Sequence, residues 1–397
     1  MNGLKTVRDA RRAGRMPRVV IVQRILPHYR VGFFAALAER LCRSGLALQV
    51  IHGQEYPDTV PRSVTVEAPW AWRIRNVYWR VGSRELVWQP CAPLLRDAAM
   101  VIVEQANRLL LNYLLLARVR TPGSRLGFWG HGCNMQGCGD GWEERLKRML
   151  IGRVDWWFAY TERSADIVRA AGVAAHRITV VDNAIDTRDF AAALRATGGE
   201  EVEALRRRLG IGSARVGLYC GGLYRDKKID FLLQACALVR ERVRDFHLIV
   251  IGDGPEEWKV KAAAATHPWI HFLGPKVGAE RAAYFRLGRA LLIPGAVGLA
   301  IVDGFVAGVP LFTTDIALHG PEIAYLESGR NGVMTRHAAA EYAAAVAECM
   351  QAPELHGRLR AGCLASARRY TLENMVERFA AGVEACLQFR GAERMTG

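Results

Sequence analysis

Leu291 to Pro310 reads L-L-I-P-G-A-V-G-L-A-I-V-D-G-F-V-A-G-V-P, and its residue types and spacing suit a phosphate. A short apolar strand runs into a glycine-bearing turn. The turn opens an apolar helix that carries one carboxylate, Asp303, near its start. Gly308 and Pro310 close that helix ahead of another strand, V-P-L-F-T-T. Amides at a helix N-terminus face an anion, and a nearby carboxylate can read sugar hydroxyls. Many α/β proteins hold such a turn, so the segment alone does not name a ligand. A second cluster, His131-Gly-Cys133-Asn-Met-Gln-Gly-Cys138, brings three candidate metal ligands together. It has no second pair downstream, and no metal is expected there.

The elements that position these residues follow from bulk properties and patterning. A chain of 397 residues is too long for one core and predicts two domains. A hydrophobic content of 51% with 23% charged residues is ordinary for a globular protein. The net charge of +15 fits either a basic soluble surface or an anionic partner: nucleotide, nucleic acid, lipid head group or acidic glycan. Met1 to Arg18 holds Lys5, Arg8, Arg11, Arg12, Arg15 and Arg18 with few apolar residues. It reads as a disordered basic tail able to touch acidic lipid. It lacks the apolar core of a secretory signal. The run Leu109 to Ala117 is too short to span a bilayer and reads as a core helix. Nine scattered cysteines show no disulfide framework and fit a reducing cytosol. No nucleic-acid motif and no aromatic–basic interleaving occur, so nucleic acid is not an expected partner.

Strands and helices alternate through both halves. In the first, 18–25, 46–52, 99–105, 124–132, 155–160 and 177–181 read as strands, with 53–95 irregular, rich in Trp and Pro, and holding short strand-like pieces. Composition turns polar between Asp186 and Gly212, where the interdomain linker is placed. In the second, 216–222, 246–252, 269–274, 290–294 and 310–314 read as strands, the first four followed by helices. The alternation predicts two doubly wound parallel sheets with a ligand cleft between them.

Several motifs then agree in order and spacing: G-G-L-Y-R-D-K-K-I-D-F-L-L-Q-A (221–235), V-I-G-D-G-P (250–255), F-L-G (272–274), the Pro294–Pro310 segment and H-G-P-E-I (319–323). In the first half, Q-R-I-L-P-H-Y-R (23–30), F-W-G-H-G (128–132) and V-V-D-N-A-I-D (180–186) fit acceptor domains of one branch. The chain resembles a family 4 glycosyltransferase of the GT-B fold over residues 18 to 390. The resemblance implies an α/β protein of two Rossmann-like domains facing across a cleft. Residues 1–17 would be the tail, 18–195 the acceptor domain and 196–369 the nucleotide-sugar donor domain. Residues 370–397 would hold a helix that packs back on the first domain.

The resemblance also implies which residues act. Sugar transfer must stabilise a leaving nucleoside diphosphate as negative charge develops on it. No Asp-x-Asp occurs in the chain, so no metal is expected and lysine, arginine and helix amides meet the charge. Lys227 matches the family's diphosphate lysine. The family's arginine is replaced by Gly222, with Arg225 or Lys228 as alternative cations. Gly221 and Gly222 let the backbone approach closely, and the amides of Val297, Gly298 and Leu299 face the diphosphate and sugar. Of the family's Glu-x7-Glu pair, the second matches Asp303, one methylene shorter, and reads the ribose. The first is replaced by Gly295. Glu322 either reaches the sugar in its place or caps the following helix. His131 matches a histidine near the transferred sugar; the bland alternative is a buried histidine bonded to backbone. Gly274, Pro275 and Lys276 hold the base. For the acceptor, His28, Arg30 and Glu104 are candidates, Arg30 toward a phosphate or carboxylate and Glu104 toward hydroxyls.

The expected activity is retaining, metal-independent transfer from a nucleotide-diphosphate sugar to a glycan or lipid-linked acceptor in cell-surface polysaccharide or lipopolysaccharide synthesis. The expected place is the cytoplasm, peripheral to the membrane. Two alternatives share the fold: a nucleotide-sugar 2-epimerase and a catalytically weak sugar-nucleotide binder. An epimerase needs carboxylate acid–base residues that this chain lacks in the right places. Gly222 and Gly295 motivate the weak binder, and Lys227, Asp303 and His131 argue against it.

Overall fold

A computed structural model describes residues 16–56, 64–82, 84–117, 123–132, 150–317 and 319–389. The expected tail before Met16, Cys133, Cys138 and most of 142–152, a stretch whose sequence reads as a helix, lie outside these. The chain divides into two compact units, one running to Ile185 and resuming at Leu372, the other Asp186–Thr371.

The first unit opens with β1 (Arg18–Ile25), a 3-10 turn at His28–Arg30 and α1 (Val31–Arg43). β2 (Ala47–Gly53) and β3 (Ala71–Arg73) follow. β4 (Val77–Val81) and β5 (Arg84–Trp88) form an antiparallel hairpin within the irregular stretch where the sequence showed short strand-like pieces. Then come β6 (Ala98–Glu104), α2 (Leu110–Leu116), β7 (Arg125–Gly130), β8 (Trp156–Ala159), α3 (Glu162–Ala170) and β9 (Ile178–Val180). Seven strands pair in the order β3-β2-β1-β6-β7-β8-β9, all parallel. The central strands are buried on both faces, which is why they read as unbroken apolar runs such as V-V-I-V. The order reverses between β1 and β6, whose carboxyl ends therefore flank a crevice.

The second unit opens with α4 (Arg188–Ala196) and α5 (Gly199–Leu209). The sequence put its boundary at 195/196, but α4 belongs to this unit because Phe190 packs its ring edge-on against Phe285. Next are β10 (Val216–Cys220), α6 (Ile229–Arg242), β11 (His247–Ile251), α7 (Glu257–Thr266), β12 (Ile270–Gly274), α8 (Gly278–Leu287) and β13 (Ala290–Leu292). After them come α9 (Ala300–Ala307), β14 (Leu311–Thr314), β15 (Gly332–Thr335), α10 (Ala339–Gln351) and α11 (Pro353–Arg369). The sheet order is β12-β11-β10-β13-β14-β15, again all parallel, with the reversal between β10 and β13. β15 was not foreseen, because a four-residue strand has too few positions to show a period.

α12 (Leu372–Gln388) groups with the first unit. Its Phe379 stacks on Phe158 of β8 with ring centroids 4.3 Å apart, and packs against Phe33 and Trp129. Gly382 makes the approach possible: a Cβ there would meet Thr179 Oγ1 at 2.5 Å and Phe158 at 2.8 Å. Arg40 of α1 pairs with Glu377 at 2.7 Å and Glu384 at 2.9 Å on the same helix. No described helix is long and apolar enough to cross a membrane.

Candidate functional site

In the second unit, the site is built where the strand order reverses. β10 ends at Cys220, and the chain turns through Gly221 and Gly222 into the 3-10 turn Arg225–Lys227. β13 ends at Leu292 and leads through Gly295 to Leu299, the N-cap of α9. The turn after β10 lies directly on the turn after β13. A Cβ on Gly295 would stand 2.3 Å from the Asp226 carbonyl oxygen and 2.3 Å from the Lys227 carbonyl carbon. The Ala296 amide donates to the Asp226 carbonyl at 2.9 Å, and Lys227 Nζ donates to the Ala296 carbonyl. Lys227 is thereby locked at the sheet edge. Burial holds its ammonium below the ordinary lysine range, against the pull of Asp226 and Glu322.

The glycines around it are required by contact. Gly252, at φ 138°, would place a Cβ 1.9 Å from the Gly221 carbonyl oxygen. Gly222 lies under the Tyr224 ring, which a Cβ would meet at 2.2 Å. An arginine at 222 is therefore replaced in space by Tyr224. The Tyr219 hydroxyl donates to the Gly222 carbonyl at 2.7 Å and fixes the turn from below. Arg225 is exposed beside it. Lys228 adopts a left-handed conformation, φ 57°, to leave the turn.

Two expectations are corrected. The Val297 amide does not face outward: it donates to His319 Nδ1 at 3.2 Å, while His319 Nε2 donates to the Thr314 carbonyl at 2.7 Å. Both ring nitrogens are spent, so His319 holds the neutral tautomer with its proton on Nε2. The Gly320 amide donates back to the Val297 carbonyl at 2.8 Å. Gly298 and Leu299 keep the position expected for the α9 N-terminus. Asp303, in turn, is not open to a ribose in this state. Both carboxylate oxygens accept from Arg281 of α8 at 3.1 Å, and the guanidinium lies 4.4 Å over the Phe190 ring. Burial raises the Asp303 carboxyl and Arg281 draws it back down. Arg281 was missed because its partner lies 22 residues away and no local pattern links them.

Glu322 sits in the 3-10 turn Pro321–Tyr325, 5% exposed and within electrostatic reach of Lys227. It caps no α-helix. Gly274 ends β12 with φ 68°, and its carbonyl accepts from Gly252 at 3.0 Å. Pro275 is exposed beside it, and Lys276 is tied to Glu280 at 2.7 Å.

In the first unit, His131 follows β7, and its ring stacks on Tyr160 at 4.4 Å. His28 is exposed and Arg30 buried in the turn after β1, and Glu104 ends β6. Trp70 packs on Phe34, whereas Trp72 and Trp79 are exposed. Among the described residues, no group of three or more His, Cys, Asp or Glu is placed to hold a metal.

Residues 214–352 match the family Glycosyl transferases group 1. The matched segment falls wholly inside the second unit and contains Lys227, Gly295 and Asp303. A curated relative, the 2-deoxystreptamine glucosyltransferase of Streptomyces kanamyceticus, is 31% identical over 187 residues. That match takes in 42% of this chain and 46% of the relative, so it spans about half of each. Among solved structures, Anabaena HepE in complex with UDP is similar over 93% of this chain and 100% of its own, with 14% identity and a TM-score of 0.65. A glycosyltransferase from Rickettsia africae is similar over 94% and 99%, with 13% identity and a TM-score of 0.67. The lipopolysaccharide outer core galactosyltransferase WaaB is similar over 93% and 99%, with 13% identity and a TM-score of 0.62. The fold is GT-B, and the segment 214–352 of its second unit is similar to the group 1 glycosyl transferases.

Proposed function

We propose that this chain moves a sugar from a nucleotide-diphosphate donor, held by the second unit, to an acceptor held by the first. The observation that carries the reading is Lys227, desolvated and fixed at the reversal point of a sheet that matches a glycosyltransferase domain. A cation there, beside the N-terminus of α9, suits a diphosphate whose charge grows as the glycosidic bond breaks. Gly298 and Leu299 supply amides, and Gly221 with Gly222 let the phosphates near the backbone. Structural neighbours crystallised with UDP and UDP-glucose support a nucleotide-sugar donor.

Retention of configuration and independence from metal belong to the same proposal, on the strength of the family resemblance and the missing Asp-x-Asp. A glycan or lipid-linked acceptor at a membrane surface is proposed from the basic charge and from exposed Trp72 and Trp79.

A thermal-shift panel of UDP, GDP, ADP, CMP and dTDP without metal tests the reading on the wild type and Lys227→Ala. Stabilisation by one nucleotide, lost in the variant, is the expected result and names the base. No shift with any of them would sink the donor site.

A further inference from the structure

The first unit carries cations that its own carboxylates do not match. Arg30 follows β1 and is 4% exposed. Its guanidinium lies 4.5 Å from the Trp129 ring centroid and 5.7 Å from that of Tyr160. Its Nη1 meets no hydrogen-bond acceptor among the described residues. Aromatic faces offset part of the desolvation of a cation, but they leave its donors unsatisfied. A buried guanidinium nitrogen without an acceptor is costly, and such a group is retained where an anion completes it.

Its surroundings point the same way. Glu104, at the carboxyl end of β6, takes a hydrogen bond from the Arg24 backbone and lies within electrostatic reach of Arg24, Arg108 and Arg30. Burial pushes its carboxyl up against those three cations. Arg108 also reaches Glu85 of the β4–β5 hairpin at 3.4 Å. Three guanidiniums thus face two carboxylates, one of them reluctant to ionise. The cluster stands at the carboxyl ends of β1 and β6, where the strand order reverses and an open α/β sheet has its ligand crevice.

We infer that Arg30, with Arg24 and Arg108, binds an oxyanion, a phosphate or carboxylate carried by the acceptor. This rests on the reading of the first unit as the acceptor side. The guanidinium fork matches both oxyanions in two-point geometry, and Glu104 would then take a neighbouring hydroxyl.

The test uses the full chain at constant ionic strength. Melting temperature is followed with inorganic phosphate and, separately, with acetate, each with and without the nucleotide found to bind. The variants are Arg30→Gln and Arg108→Gln. Phosphate or acetate is expected to stabilise the wild type additively with nucleotide, and whichever acts names the anion. In either variant the half-saturating anion concentration should rise about tenfold or more, while the nucleotide shift persists. If Arg30→Gln does not fold, Arg108→Gln, whose side chain is exposed, decides alone. Anion stabilisation that survives the substitutions, is absent from the wild type, or disappears when nucleotide is added overturns the inference, the last by giving the anion to the donor site. Loss of the anion effect in the variants of a protein that binds no nucleotide would leave the oxyanion site standing and remove the donor reading instead.

Discussion

Lys227 titrates in a way that can be measured. Its ordinary value is 10.5, and burial lowers it. A diphosphate needs the protonated form. Nucleotide affinity should therefore hold steady at neutral pH and fall as pH rises through the depressed value, because the free protein has by then lost the proton that binding requires. Titrations at increasing alkalinity check this, and Lys227→Arg should flatten the fall, since arginine stays charged. Gly295 makes a second case. Placing a carboxylate at this position with Gly295→Glu should cost about 2 kcal/mol or more in urea melts and abolish the nucleotide shift, because its Cβ would collide with the Asp226–Lys227 backbone. The sequence read Gly222 and Gly295 as losses. In space both positions are occupied by this chain's own atoms, the Tyr224 ring and the Lys227 turn. One sequence lists which side chain is missing but not which neighbour has moved into its place.

Helices α8 and α9 are joined by the Arg281–Asp303 pair, whose carboxylate is nearly enclosed. Removing the cation leaves a buried charge, so Arg281→Ala should lower stability by about 3 kcal/mol. Without Arg281 the burial that raises Asp303 goes unopposed. A carboxyl whose folded value lies above its unfolded value gains stability as pH falls, so the deficit should shrink in acid. Denaturation at neutral and mildly acid pH measures both effects. A ligand that reads Asp303 must share it with Arg281 or displace it. Element types were legible in the sequence because apolar runs bounded by glycine and proline mark parallel strands, as at 216–222 and 290–294. The hairpin β4–β5 was legible only as short strand-like pieces, since exposed Val77 and Trp79 hide the alternation that would have marked it. The Val297 amide was misassigned for a different reason: its acceptor, His319, comes from a loop 22 residues on.

Across the whole molecule, α12 closes the core of the first unit with Phe379 against Phe158, Phe33 and Trp129. Phe379→Ala should destabilise that unit by about 4 kcal/mol and leave the nucleotide shift of the second unit in place, which separate probes of the two melting transitions would resolve. The return of this helix was expected from the resemblance alone, while the earlier boundary was placed later than the contacts put it because nothing local marks α4 as part of the second core. The same connectivity sets an order of birth. Asp186 to Thr371 are made between the strands of the first unit and the helix that completes them. At about 5–20 residues per second, a ribosome takes roughly ten to forty seconds over that stretch. The second unit can fold while the first waits with its apolar sheet face uncovered, so the nascent first unit is the part of this chain that a chaperone has reason to hold.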